Sequence, residues 1–209
     1  MNGPAIVKAA YRIETERLVL RCWEPKDAVM MQAAAAESRD HLLPFMPWAA
    51  EEPQTVEQKV ELTRRFRSRF DSGEDYVYGI FNRDESRVLG GTGLHTRIPG
   101  NALEIGYWLH KDYVNQGLAT EASAALTKVA FELYHVGRLE IHCSVQNHAS
   151  AAIPRKLGYS HEATRRGLGY ANGRATDAMI WTLLEQEYPG TACVSADIRA
   201  FDILGNPLL

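Results

Sequence analysis

The run from Ala102 to Tyr134 changes its hydrophobic period from two to that of a helix, and this change restricts the architecture more than any other feature. In Ala102–His110, Leu103, Ile105, Tyr107 and Leu109 alternate with Ala102, Glu104, Gly106, Trp108 and His110. The pattern predicts a strand. Its first set faces a core, and its second offers a carboxylate, a missing side chain and an indole. Gly106 inside such a strand marks a bulge or a close approach to the backbone. Leu118, Ala122, Leu126, Val129, Ala130 and Leu133 then recur at steps of three and four, forming one stripe of a long helix. Leu139, Ile141, Cys143 and Val145 next alternate with Glu140, His142 and Ser144, a second strand. Two strands joined by a helical crossover lie parallel and close in one sheet.

Between strand and helix lies Lys111–Thr120. A helix beginning near Gln116 has first N–H groups without intrahelical acceptors, and Gly117 and Ala119 keep that mouth clear of bulk. Such a strand–loop–helix is an anion site, most simply for a pyrophosphate, or else a plain helix start with small residues for packing. No Lys-Ser or Lys-Thr follows the glycine, and there is no Gly-x-Gly-x-x-Gly. The nucleoside-triphosphate loop and the dinucleotide fingerprint are therefore both excluded.

Along the rest of the chain, Met1–Ala10 reads as a loose lead-in and Arg17–Trp23 as a strand with Leu18, Leu20 and Cys22 on one face. Pro25-Lys-Asp27 breaks it, and Asp27 is placed to cap a helix reaching about Ser38. Leu42–Trp48 is apolar, but its two prolines suit a pocket wall or a plug under a loop, not an element interior. Thr55–Ser72 predicts a polar helix capped by Thr55. Its Arg64–Arg69 cluster reads as a solvated face with internal ion pairs such as Glu61–Arg65, not a nucleic-acid patch. Asp75–Asn82 and Arg87–His95 form a hairpin, with Gly90, Gly91 and Gly93 suited to a bend or bulge. Asn147–Ser150 caps a short helix that Pro154 shortens or kinks and Gly158 ends. Asn172-Gly173 joins two further strands.

The segment order resembles the RimJ/RimL branch of the GNAT N-acetyltransferases. Asn115-Gln-Gly-Leu-Ala119 is similar to that superfamily's acyl-CoA pyrophosphate loop. Leu103–Leu109, Gly117–Ala122, Thr15–Arg21, Leu43–Trp48, Asn147-x-x-Ser150 and Lys156–Tyr159 follow in the branch's order over about residues 12–188. Val114 departs from the pattern, standing where the family often has Arg, Gln or Trp. The departure touches a side-chain contact and leaves the backbone cradle. The resemblance implies an α/β (α+β) GNAT fold, a mixed central sheet flanked by helices, and acetyl-CoA as co-substrate. It implies a primary-amine acceptor, a protein N-terminus such as that of a ribosomal protein, with a small-molecule amine as the alternative. The alternative outside catalysis is an acyl-CoA-binding module.

For the cofactor, the resemblance implies the loop Val114, Gln116, Gly117, Leu118, Ala119 and Thr120, the backbone near Trp108 and Leu109 beside splayed strands, and Asn147 on the pantetheine arm. For the acceptor it implies a wall bearing Phe45 and Trp48. Acyl transfer to an amine needs a proton acceptor, a donor for the carbonyl oxygen, a proton for the thiolate and two aligned reactants. Glu104 is the candidate base, directly or through water, with a surface carboxylate as the plain alternative. Ser150 is the candidate acid, with helix capping as the plain alternative and Tyr159 as the other acid. His110, His135, His142 and His148 show no metal spacing, so no metal is assigned. Cys143 reads as a core residue.

The 209 residues suffice for one domain, with residues 191–209 as an extension whose apolar side chains pack on its own body or on a partner subunit, as in a homodimer. The net charge of -3 gives no pull toward nucleic acid or acidic membrane, and three scattered cysteines suit a reducing compartment. No apolar run approaches the ~20 residues of a membrane helix, and no signal-like segment opens the chain, so the expectation is a cytoplasmic protein.

Overall fold

The computed structural model describes residues 9–209, so most of the expected lead-in lies outside the described residues. One nine-stranded sheet organises them. Its strands are β1 (Arg12–Glu14), β2 (Leu18–Cys22), β3 (Tyr76–Asn82), β4 (Val88–His95), β5 (Ala102–Leu109), β6 (Arg138–Ser144), β7 (Ser160–Ala171), β8 (Arg174–Leu184) and β9 (Arg199–Phe201). The spatial order is β7-β8-β6-β5-β4-β3-β2-β1-β9. Only β5 and β6 are parallel, joined by the crossover helix α4 (Leu118–Lys128), which runs on through a π-helical turn at Val129–Leu133. The sheet is thus the mixed one the alternation predicts.

The two faces are covered by different helices. The α4 stripe of Leu118, Ala122, Leu126, Val129 and Ala130 is buried in the larger core with Leu103, Ile105, Leu139, Ile141 and Cys143. Helices α1 (Ala28–Glu37) and α3 (Val56–Asp71) cover the opposite face of the β1–β4 half, where Val19, Trp23, Met31, Phe81 and Val88 form a second cluster. A four-residue helix, α2 (Arg39–Leu42), leads from α1 into the Pro-rich segment. Thr55 accepts the Gln58 N–H, the N-cap the sequence predicts.

Several details depart from the sequence pattern. Asp27 does not cap α1; its carboxylate takes both Arg21 Nη atoms and the Glu24 N–H, a stronger charge-assisted arrangement. In α3, Arg64 rather than Arg65 pairs with Glu61. Glu52, just before α3, is buried against an equally buried Lys59. The β3–β4 irregularity falls between Ile80 and Phe81, where the register steps past Leu89, next to the expected glycines. Asn172 and Gly173 both have positive φ, as a two-residue hairpin turn requires. The C-terminal extension packs on its own body: β9 pairs antiparallel with β1 and extends the sheet. Among the described residues no helix is long and apolar enough to cross a membrane.

Candidate active site

The parallel ladder of β5 and β6 is short. It runs from Ala102–Arg138 to Ile105–Ile141 and stops, while β5 stays paired with β4 through Leu109 and β6 with β8 through Ser144. Beyond Ile105 the two central strands therefore part, leaving a gap in the middle of the sheet. The His110 N–H bonds to Leu89 on the β4 side. Backbone groups alternate sides along a strand, so Trp108 and Gly106 also face β4, whereas Tyr107 and Leu109 turn their N–H and C=O toward the gap. This corrects one expectation. Leu109 offers its amide to the gap, but Trp108 offers only its indole.

The α4 N-terminus lies on one side of this gap. The helix begins at Leu118, two residues later than the periodicity suggests, because Asn115 and Gly117 adopt left-handed φ values of 60° and 79°. The first intrahelical donor is Glu121, whose N–H reaches the Gly117 carbonyl. The amides of Leu118, Ala119 and Thr120 thus have no acceptor within the helix and form an anion cradle. Gly117 supplies the αL turn, and a Cβ there would meet nothing nearer than Arg17 Nη2 at 3.5 Å, so the mouth is open. Arg17 donates to the Gln116 carbonyl at 2.9 Å and pairs with Glu121, tying the loop to the strand-β2 edge. Gln116 spends its side chain on the Asp112 carbonyl, and Val114 is half-buried with extended backbone. The loop therefore suits a diphosphate through backbone donors and one nearby guanidinium, a residue the spacing argument missed.

Helix α5 (His148–Lys156) starts on the far side of the gap. Asn147 Oδ1 accepts the Ser150 N–H at 3.0 Å, so Asn147 makes the cap and the Ser150 hydroxyl is free of it. That hydroxyl lies 3.0 Å from the Tyr107 OH. Burial, the largest influence, pushes the Tyr107 phenol up, which keeps it protonated and able to hold Ser150. Tyr159 is a core residue, its hydroxyl bonded to Thr127 at 2.8 Å and its phenol also pushed well up by burial. Ser150 therefore stands at the gap and Tyr159 does not.

On the opposite face the gap opens into a cavity of ≈ 1190 Å³. Gly91 and Gly106 line it, and Gly93 lies opposite Gly106 in the ladder, so this stretch of sheet lacks side chains. A Cβ on Gly91 would come within 2.5 Å of the Trp108 indole Nε1, so the nitrogen edge of that ring occupies the space over the glycine. Trp48 meets Trp108 edge-on at 5.6 Å, and Phe45 lines the same wall. The β7–β8 tip is fastened to this wall by Asn172 N–H to the Pro44 carbonyl, 2.8 Å. The Pro-rich run is thus a pocket wall.

Polar groups line the other end. Glu104 is buried, and Arg97 closes on both its oxygens, Nε to Oε2 at 2.7 Å and Nη2 to Oε1 at 2.5 Å. His142 Nδ1 lies 3.6 Å from Glu104, and its Nε2 lies 2.5 Å from Glu140. Burial pushes the Glu140 carboxyl up, but the His142 and Arg138 bonds outweigh it and hold it below its ordinary range. Across the ladder, His95 stands opposite Glu104 and pairs with Asp75. The sequence reading left Glu104 open to an amine; the structure interposes Arg97, which the loop after β4 delivers. His110, Glu37 and Asp112 also approach one another, but His110 Nδ1 accepts the Asp112 N–H and Nε2 faces Glu37, so the imidazole acts as a cap.

A site with unpaired helix amides on one sheet face, a cavity on the other and a gap between them suits acyl transfer from a CoA thioester. Residues 17–160 match the family model described as an acetyltransferase (GNAT) domain. A putative ribosomal N-acetyltransferase, YdaF of Bacillus subtilis (strain 168), is 28% identical over 177 residues, 84% of this chain and 95% of that one. The [ribosomal protein uS5]-alanine N-acetyltransferase of Escherichia coli (strain K12) is 24% identical, covering 86% and 94%. RimL, a ribosomal L7/L12 alpha-N-protein acetyltransferase solved with coenzyme A, shares the fold with a TM-score of 0.74 at 22% identity, over 81% of this chain and 95% of that one. This chain belongs to the GNAT family of acetyl-CoA-dependent N-acetyltransferases.

Proposed function

We propose that the acceptor is the N-terminal amine of a protein, and that the acetyl group passes to it directly from acetyl-CoA in a ternary complex. The cofactor's diphosphate takes the amides of Leu118–Thr120, and its pantetheine arm follows the Leu109 edge of β5 and the Asn147 side chain. The acceptor enters the glycine-floored cavity between Phe45, Trp48 and the Glu104 cluster. The Glu104–Arg97 pair fixes that end of the cavity. Ser150, held by Tyr107, protonates the departing thiolate. Direct transfer is favoured over a covalent acyl-cysteine because burial pushes the Cys143 thiol up and leaves it a poor nucleophile.

The observation that carries this reading is the gap itself, which links the unpaired α4 amides on one face to a cavity on the other. That cavity exceeds the ~300–1,000 Å³ usual for small-molecule sites, which supports a peptide end entering beside the acyl arm. The names of the relatives support the same acceptor class. A small amine such as a polyamine, amino acid or antibiotic is the second reading, favoured by the acidic groups Asp75, Glu104 and Glu140 at the cavity floor. A non-catalytic acyl-CoA binder would have no use for the Ser150–Tyr107 pair. Thiol release measured with ribosomal-protein N-terminal peptides against small amines, and with acetyl- against succinyl-CoA, tests the proposal. Peptides turned over at least about tenfold better, in kcat/KM, support it. Equal or better turnover of polyamines contradicts it.

A further inference from the structure

Arg97 holds both oxygens of Glu104, so the amine proton needs another acceptor; the identification of one rests on the transferase reading above. His95 ends β4 opposite Glu104. Its Nδ1 lies 2.8 Å from Asp75 Oδ1, with both side chains mostly enclosed. Asp75 is also 3.5 Å from Arg69 Nη1, which suits a carboxylate. A carboxylate at Nδ1 sets that nitrogen as the donor and leaves the lone pair on Nε2. Nε2 lies across the glycine floor: a Cβ on Gly93 would come within 2.9 Å of it and one on Gly106 within 3.1 Å. Gly106 is the first β5 residue beyond the paired stretch, next to Tyr107, whose amide faces the gap. The unprotonated nitrogen therefore lies on the cavity floor at the point a thioester must reach through the gap. The charged and titratable groups around the ring are Asp75 and Arg69 behind it, Arg97 and Glu104 beside it, and His142 beyond Glu104.

We propose that His95 accepts the amine proton during transfer, with Asp75 as its positioning residue. The amine enters the step neutral, its ammonium proton already lost to solvent; its lone pair forms the N–C bond while Nε2 takes one N–H proton, and the imidazolium stays paired with Asp75. The C–S bond breaks with its electron pair going to sulfur. The thiolate takes a proton from Ser150 Oγ, which is refilled from solvent, and the imidazolium returns its proton to solvent. One proton leaves nitrogen and one reaches sulfur, so the step balances without an added reagent.

The test compares wild type, His95→Gln, His95→Ala and Asp75→Asn as full chains, with kcat and KM followed against pH by thiol release and acetyl-CoA affinity measured separately. The expected result for His95→Gln is a kcat lower by roughly 10²–10⁴-fold. Its acetyl-CoA affinity stays within about threefold, and the acidic limb of the kcat profile disappears. Asp75→Asn lowers kcat less and leaves KM and acetyl-CoA affinity within about threefold, a split that a collapsed cavity would not give. Added imidazole restores turnover to His95→Ala, which separates proton transfer from a fault in folding. A His95→Gln kcat within about threefold of wild type, or an unchanged acidic limb, overturns the assignment and leaves the transferase reading standing. A wild-type chain that binds acetyl-CoA yet releases thiol with no amine overturns both.

Discussion

Gly106→Ala isolates the floor of the cavity proposed for the acceptor. The φ of Gly106 is not in the left-handed region, so alanine fits the backbone without strain there. The new Cβ meets His95 Nε2 at 3.1 Å and Cδ2 at 3.3 Å, and nothing else closer than Arg97 Nη2 at 3.8 Å. The imidazole must give by a few tenths of an ångström, and the methyl itself takes the place proposed for the amine. Replacing a strand glycine by alanine stabilises by about 0.4–1 kcal/mol through the unfolded state, and the crowded contact offsets a similar amount. The melting temperature should therefore move by no more than about 4 °C. Misplacing reacting groups by about 1 Å costs on the order of 10²-fold in rate, so kcat/KM should fall by about that factor. Thermal melts, acetyl-CoA titration and thiol-release kinetics on one preparation separate the effects. An unchanged acetyl-CoA affinity with a 10²-fold loss of turnover is the expected result. Turnover within about threefold of wild type would refute the placement of the amine over Gly106.

Three further substitutions probe other parts of the site, and a pH dependence probes the β9 edge of the sheet. Gly117→Ala places its Cβ in ordinary contact, so only the left-handed backbone opposes it; the ~1–2 kcal/mol cost predicts acetyl-CoA binding weaker by up to about thirtyfold in calorimetry. Gly117→Glu should weaken it at least about tenfold more, since a carboxylate there repels phosphate. Ser150→Ala removes the hydroxyl but not the backbone N–H that Asn147 caps, so the melting temperature should hold while kcat falls by about 10–100-fold. Glu14 is held below its ordinary value of 4.5, chiefly by its hydrogen bond from Arg12 and with help from Arg199 of β9. A depressed carboxyl stabilises the fold above its unfolded value, and that contribution is lost as pH falls below 4.5. The protection factors of the β9 amides, taken against the intrinsic exchange rate at each pH, should therefore fall between pH 5 and pH 3, about the carboxylate range. Unchanged protection there would remove Glu14 as the tie.

The strands and the long crossover helix were legible because a period of two and a helical stripe leave few other solutions. The cradle was legible for the same reason, since strand, small residues and helix follow one another in the chain. Its start was misplaced by two residues because left-handed Asn115 and Gly117 delay the helix, and periodicity carries no φ. The polar end of the cavity was not legible. Asp75, His95, Arg97, Glu104 and His142 come from four strands or their flanks and meet only through the β3–β4–β5–β6 register. A pairing of His95 with Glu104 follows from that register alone, and no local spacing contains it. Trp108 shows a subtler limit: the alternation gave its face correctly, yet the direction of its backbone groups depended on which neighbour strand they bonded.

The most direct measurement is a crystal structure with acetyl-CoA bound. The account predicts phosphate oxygens within hydrogen-bond distance, about 2.7–3.2 Å, of the Leu118–Thr120 amides, and the acetyl carbon in the opening between β5 and β6 above Gly106. A nucleotide seated away from the start of α4, or an acetyl group that never enters that opening, would contradict it.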